Sequence, residues 1–91
     1  MKSILQTEKE CWYTGATYDL HKHHIFGGSN RKHSEKYGLW VWLRPDLHNK
    51  SDAGVHFDRE KDIELKQIAQ AAFEAKHSRE EFVRIFGRNW L

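Results

Sequence analysis

The stretch that decides the fold reads LHKHHIFGG and runs from Leu20 to Gly28. Its first seven residues, Leu20 to Phe26, predict a strand that the two glycines end. Side chains of adjacent residues on a strand point to opposite faces of a sheet. We therefore expect His23 and His24 to work separately, with one imidazole binding a metal ion and the other facing a water molecule. That division of roles suits hydrolysis of a phosphodiester.

A second run, LWVWL at residues 39–43, is rich in aromatic and β-branched side chains and predicts a second strand. Pro45 ends this strand, because proline has no N–H to donate to a ladder. The connecting segment at residues 29–37 is basic and polar, and it predicts a loop with room for one helical turn. Together the two runs predict a β-hairpin.

The remainder of the chain is predicted to be helical. Asp46 is a suitable cap for a short helix that contains His48. Apolar residues spaced by three and four positions then predict a helix over residues 59–77, with the stem of a lysine closing the stripe. The SREE segment at residues 78–81 is a capping box, which predicts a last helix over residues 79–86.

Length and composition indicate one domain over residues 1–91. Four Trp, five Phe and three Tyr supply apolar area for a core, and a charged fraction of 31% is too ordinary for a disordered chain of high net charge. No apolar run approaches the roughly 20 residues that span a membrane, and there is no signal-peptide pattern. The single Cys11 excludes an intramolecular disulfide. These features predict a cytoplasmic protein without a membrane partner.

Positive charge gathers around the histidines. Residues 21–50 contain six lysines and arginines against two acidic residues, a net charge of +4, whereas residues 51–76 contain four against six, a net charge of −2. A polyanion such as DNA is drawn to such a segment by counterion release. An ordinary solvated surface is the alternative interpretation. The candidate phosphate contacts are Arg31, Lys32, Arg44 and Lys50.

The motifs resemble those of the HNH, or ββα-metal, endonuclease superfamily, through the HHI at residues 23–25, the strand at 39–43 and the HN pair at 48–49. The whole chain is also similar to small HNH proteins of bacteriophages and prophages, through its segments at residues 25–31, 34–43, 54–57 and 86–89. This resemblance implies an α+β fold with a hairpin-plus-helix metal core at about residues 11–57, extended by C-terminal helices at 58–91. If the protein is phage-encoded, its expected compartment is the host cytoplasm.

The resemblance also implies roles for single residues. His24 corresponds to the general base, His23 to the first metal ligand, and His48 to the ligand at the start of the motif's helix. The third ligand is open between Asp52, one helical turn after His48, and His56, which the GVH segment favours. Three imidazoles suit Zn²⁺, Ni²⁺ or Mn²⁺ for tight binding, and Mg²⁺ or Mn²⁺ is the expected activating ion.

The chain departs from the family pattern at two places. Relatives bind a structural zinc through paired cysteines, but the corresponding positions here are Cys11, Thr14, Arg44 and Leu47. One ligand of four remains, so we expect no structural zinc, and Arg44 is a candidate to fill the vacated region. The central asparagine of the motif falls near Leu39, so we expect Asn30 or backbone groups to hold the loop instead, or the loop to be held in a different way.

The predicted function is that of a metal-dependent DNA endonuclease or nickase that uses one metal ion and leaves 5′-phosphate and 3′-hydroxyl ends, as the resemblance implies. The alternative is a non-catalytic HNH-fold accessory module of phage DNA packaging or recombination. A small chain covers little DNA, so we expect the chain to act either as a homodimer or within a larger phage protein complex. His33 and His77 are expected to be surface or satisfied core residues, and Trp40 and Trp42 to pack in the core or the hairpin. His21 lies on the same strand face as His23, so its predicted role is either structural or that of a hydrogen-bond partner behind the metal ligand.

Overall fold

The computed structural model describes residues 1–45 and 59–91 of the chain. Within these ranges the protein is a small α+β structure with a two-stranded antiparallel sheet and three helices. None of the helices in the described ranges is long and apolar enough to cross a lipid bilayer. The elements are β1 (His21–His24), a 3₁₀ turn (Gly28–Asn30), α1 (Arg31–Tyr37), β2 (Trp40–Leu43), α2 (Arg59–Glu74) and α3 (Arg79–Phe86). The helix predicted after Asp46 lies outside the described residues.

The predicted hairpin is confirmed, although β1 is shorter than the predicted strand. His23 is paired with Val41 and His24 with Trp40. Adjacent residues on a strand point to opposite faces, so the two histidines lie on opposite faces of the sheet. Each shares its face with its paired residue on β2. His23 and Val41 are buried against the core, with exposed fractions of 2% and 0%. Beyond β1, Ile25 still donates its N–H to the Leu39 carbonyl at 3.1 Å.

The segment predicted as a loop forms α1, which corrects that prediction. A buried hydroxyl explains the helix: Ser34 Oγ accepts from Phe26 N at 3.0 Å and donates to Phe26 O at 2.9 Å. The polar side chain thereby satisfies the backbone of the turn after β1, so this helix needs few apolar residues to dock. Gly38 ends α1 in the left-handed conformation, with φ at 71°. Its missing side chain also makes room, because an added Cβ would lie 2.4 Å from the Lys2 carbonyl oxygen.

The N-terminal segment covers the free edge of β2. Ser3 Oγ donates to the Trp40 carbonyl at 2.6 Å, and Gln6 Oε1 accepts from Trp42 N at 2.8 Å. Further along, Trp12 N donates to the Trp42 carbonyl at 2.8 Å. An uncovered strand edge invites pairing with other chains, so this segment closes the sheet on that side.

Aromatic side chains join the two C-terminal helices to the hairpin. Phe73 of α2 and Phe82 and Phe86 of α3 are buried. Phe82 stacks on Phe86 with ring centroids 4.6 Å apart, and Phe26 meets Phe86 at 4.7 Å. Such ring pairs stabilise a core beyond the area that they bury. The cluster therefore fixes α2 and α3 against the turn that follows β1.

The ends of the C-terminal helices differ from prediction in detail. The predicted helix over 59–77 ends at Glu74, and Lys76 is exposed instead of closing the apolar stripe. The Ser78 cap is confirmed, since its hydroxyl accepts from Glu81 N at 3.0 Å. The Glu81 carboxylate, however, contacts His77 Nδ1 at 2.6 Å. Gly87 ends α3 with φ at 83°, as predicted.

Candidate active site

An open cleft of about 600 Å³ lies beside the end of β1. Its walls come from the strand, the 3₁₀ turn and α1, and the lining residues are His24, Gly28, Ser29, Arg31, Lys32 and Glu35. The turn at Gly28, whose φ is 59°, brings α1 back past the strand end. A glycine adopts this conformation without the steric cost that a Cβ imposes. The fold thus brings the predicted base together with two of the four predicted phosphate contacts.

His24 is held in a partly dry position. Its side chain is 10% exposed, and its Nε2 lies 3.6 Å from Oε1 of Glu35. Burial is the main cause that lowers the pKa of His24; contact with Glu35 raises it, and the charges of Arg31 and Lys22 lower it again. The net result is a lowered pKa, which keeps the imidazole neutral at neutral pH. A neutral imidazole is the form that can accept a proton.

Glu35 is a site residue that sequence reasoning missed. Lys22 Nζ lies 3.1 Å from Oε1 of Glu35 and 4.2 Å from the centre of the Trp40 ring. The hydrogen bond from Lys22 is the main cause that lowers the pKa of Glu35. Burial raises this pKa, and contact with His24 lowers it further. The carboxylate is therefore charged. One signal was available, because Glu35 and Asp46 are the only acids in the basic segment at residues 21–50.

His23 points away from this cleft into the core side of the sheet. Its imidazole is buried beside Val41 and Leu43, which confirms that the two adjacent histidines diverge. An imidazole is a suitable donor for a divalent transition metal, so the chemistry of His23 fits the predicted role. Within residues 1–45 and 59–91 no group of three or more His, Cys, Asp or Glu could hold a metal ion. The other predicted or alternative ligands, and one predicted phosphate contact, lie outside those ranges: His48, His56, Asp52 and Lys50.

The other histidines of the described chain lie outside the cleft. His21 is exposed at the start of β1. His33 meets the edge of the Phe86 ring, with centroids 5.9 Å apart, and His77 stacks on Phe73 at 4.3 Å. His33 and His77 thus make structural ring contacts, which agrees with their predicted roles as surface or satisfied core residues.

Cys11 and the Arg44 backbone are hydrogen-bonded to each other, at two of the positions to which the HNH resemblance assigned zinc ligands in other proteins. Cys11 is buried, and burial raises the pKa of its thiol. Hydrogen bonds from the Thr14 side chain and from backbone groups, including that of Arg44, lower this pKa, and the net result is a lowered value. The Arg44 guanidinium lies 4.5 Å from the centre of the Tyr18 ring. Arg44 is therefore engaged at this second location, apart from the cleft that Arg31 and Lys32 line.

The loop after β1 is held chiefly by Ser34 and by backbone groups. The side chain of Asn30, one predicted substitute for the motif asparagine, donates instead to the Phe86 carbonyl at 3.1 Å. Backbone bonds in the loop include Asn30 N to the Gly27 carbonyl at 3.0 Å. Leu39 is fully buried. The loop is thus held in a different way, by the Ser34 hydroxyl together with backbone bonds, whereas the Asn30 side chain ties the loop to the end of α3.

Trp40 and Trp42 pack as predicted. Their rings meet edge to face, with centroids 5.3 Å apart. Trp40 donates from Nε1 to the Met1 carbonyl at 3.2 Å, and Lys9 lies 4.6 Å from the centre of the Trp42 ring. The N-terminal segment thus contacts both tryptophans on the outer face of the hairpin.

Comparison of the chain with protein-family models, with curated proteins and with solved structures returns no match. The two-stranded sheet and three helices are compatible with a ββα arrangement. Assignment to a superfamily therefore depends on the motifs in the sequence and on the chemistry of the cleft.

Proposed function

We propose that this protein is a metal-dependent DNA endonuclease or nickase of the HNH type. The observation that carries the proposal is the cleft at the end of β1, where a partly buried His24 lies among Arg31, Lys32 and Glu35. A base with a lowered pKa beside cationic side chains is suited to activate water next to a phosphate. The resemblance of the motifs supports the same reaction.

The chemistry assigned to His24 is general-base catalysis. One proton of a water molecule passes to the imidazole as the water oxygen attacks the phosphorus. The bond between phosphorus and the 3′ oxygen then breaks, and the 3′ oxygen takes a proton from solvent, which leaves a 5′-phosphate and a 3′-hydroxyl. His23, His48 and His56 are the proposed ligands that would hold a divalent metal, and the metal would supply charge stabilisation at the phosphate and the departing oxygen.

Arg31 and Lys32 are proposed to position the DNA backbone. Both are exposed at the start of α1 and line the cleft with His24. Lysine and arginine contacts to phosphate fix the register of a protein on DNA without reading its sequence. Arg44 and Lys50 are proposed as further contacts. We propose no sequence preference, because phosphate contacts supply none.

The test is cleavage of a supercoiled plasmid by the purified protein with Mg²⁺, with Mn²⁺ and with a chelator. We expect nicked or linear product with metal and intact plasmid with chelator. The matched variant is His48→Ala, which should lose both metal affinity in calorimetry with Mn²⁺ and cleavage. Unchanged affinity would remove His48 from the metal site, and wild-type cleavage by a variant that has lost metal affinity would indicate a contaminating nuclease.

The same assay separates the enzyme from the alternative, a non-catalytic DNA-binding accessory module of phage packaging or recombination. A module of that kind would shift the plasmid in a gel at low salt and leave it uncut with every metal. Binding without cutting would therefore reject the endonuclease and support the module.

A further inference from the structure

The carboxylate of Glu35 lies between a lysine and the proposed base. Oε1 is 3.1 Å from Nζ of Lys22 and 3.6 Å from Nε2 of His24. Lys22 and His24 belong to the same face of β1, with one residue between them, whereas Glu35 comes from α1. The side chain therefore connects the helix to the strand at the position of the base.

We propose that Glu35 is a positioning residue, whose carboxylate holds the His24 imidazole by Nε2 so that Nδ1 is the atom that accepts the proton. This inference rests on the proposed role of His24 as the base. A neutral imidazole has one N–H and one lone pair. The group that contacts one ring nitrogen decides which nitrogen keeps the proton. An acceptor at Nε2 selects the form with hydrogen on Nε2.

The proton balance of the step leaves Glu35 ionised throughout. Nδ1 takes the proton from the attacking water, which makes His24 a cation, and the neighbouring carboxylate stabilises that cation without taking a proton. The present separation of 3.6 Å is longer than a hydrogen bond. Such contacts are often long in an unliganded site and shorten when the substrate binds.

Lys22 anchors the Glu35 carboxylate through Oε1, the same oxygen that lies near His24. Its ammonium lies over the Trp40 ring at 4.2 Å, so the lysine is itself fixed by the hairpin. This matters because the Glu35 side chain is 43% exposed and a free carboxylate at such a position samples many orientations. The contact with Lys22 restricts it to those that face His24.

The kinetic test compares Glu35→Ala and Glu35→Gln with the matched control Glu74→Ala. Glu74 also accepts from basic and amide groups, but it lies at the end of α2, outside the cleft. With Mn²⁺ at saturation, Glu35→Ala should lower kcat by about 10–100-fold, the usual loss for a residue that orients a reacting group, and leave KM for plasmid unchanged. Glu35→Gln should recover part of the rate, because its amide oxygen still accepts from Nε2. Glu74→Ala should keep the wild-type kcat.

A spectroscopic test does not depend on catalysis. Long-range ¹H–¹⁵N correlation of the histidine rings at pH 8, without metal, should show His24 with hydrogen on Nε2 in the wild type and a mixture of both forms in Glu35→Ala. Hydrogen on Nδ1 in the wild type would overturn the proposal, whether or not the variant folds. So would wild-type kcat in Glu35→Ala. If the wild type cuts no DNA, the endonuclease proposal fails, and the ring spectra still decide whether Glu35 positions His24.

Discussion

Two carboxylates in this protein are held in similar ways in different regions. Glu35 of the hairpin region contacts Lys22, and Glu74 at the end of α2 contacts Gln70 and Arg79. Hydrogen bonding lowers the pKa of both groups: Lys22 is the main cause for Glu35, and Gln70 is the main cause for Glu74. Near Glu35 there is a histidine and an open cleft, whereas near Glu74 there is the joint between two helices.

Because both carboxylates have a lowered pKa but only Glu35 lies beside a cleft, a lowered pKa alone does not identify a functional site. Beside Glu74, the partner Gln70 has a structural role. Gln70 is buried and accepts from Trp90 N at 2.7 Å, and its amide donates to Asn89 at 2.7 Å. These bonds fasten the C-terminal segment. In the hairpin region the same kind of contact ends on the His24 imidazole, which borders a cleft, and this geometry makes the hairpin carboxylate a candidate functional group.

The largest expected effect is a loss of DNA cleavage when a histidine of the hairpin region, but not one of the C-terminal helical region, is replaced. His24→Ala should reduce plasmid cleavage by about 10²–10⁴-fold, the usual contribution of a general base, and retain metal and DNA binding. The matched control is His77→Ala, a histidine that stacks on Phe73 in the C-terminal region. It should cleave at the wild-type rate per folded molecule. Initial rates with Mn²⁺ check both variants. A wild-type rate in His24→Ala would move the base role to His21 or to solvent.

The next effect concerns stability and belongs to the helical region. Phe82→Ala should lower the free energy of unfolding by about 3–5 kcal/mol, as for other phenylalanines removed from a core. Phe82 is fully buried and contacts the rings of Phe26, Phe73 and Phe86. Val83→Ala is the control, because Val83 is 36% exposed on the same helix, and it should change little. Urea denaturation measures both, and equal losses would contradict the packing described here.

Much of this architecture could be predicted from the sequence, for identifiable physical reasons. The strand at Trp40–Leu43 is apolar and aromatic, and α2 repeats apolar residues at helical spacing. The helix α1 is longer than the one helical turn predicted for this segment, because only Ser34 is buried in it and it has no apolar stripe to detect. The burial of a serine depends on where the turn after β1 places its backbone groups.

The candidate site also contains residues that could be predicted from the sequence and one residue that could not. The doubled histidine could be found because alternation along a strand is local. Glu35 could not be assigned to His24, since their contact requires the turn at Gly28 and the docking of α1. The metal ligands proposed at His48 and His56 stay predictions from the sequence.

A smaller effect distinguishes two glycines that end helices in the two regions. Gly38→Ala and Gly87→Ala both force a side chain into the left-handed conformation, which costs about 1–2 kcal/mol per residue. At Gly38 the new Cβ would also lie 2.4 Å from the Lys2 carbonyl oxygen, whereas nothing lies within 4 Å at Gly87. Thermal unfolding should therefore show a larger loss for Gly38→Ala. Equal losses would mean that the N-terminal segment moves aside without cost.

The smallest expected effect is a pH dependence of stability that returns to Glu74. Because its pKa is lowered in the folded protein, mainly by the hydrogen bond from Gln70 and next by that from Arg79, its charged form favours folding. This contribution is present above the pKa of an ordinary glutamate and is lost as the pH falls through the lowered folded value. Glu74→Gln should therefore be less stable than the wild type at pH 7, and the difference should shrink towards pH 3. Urea midpoints at the two pH values measure it. A difference that stays constant with pH would show that the Glu74 charge contributes nothing and that the change acts through packing alone.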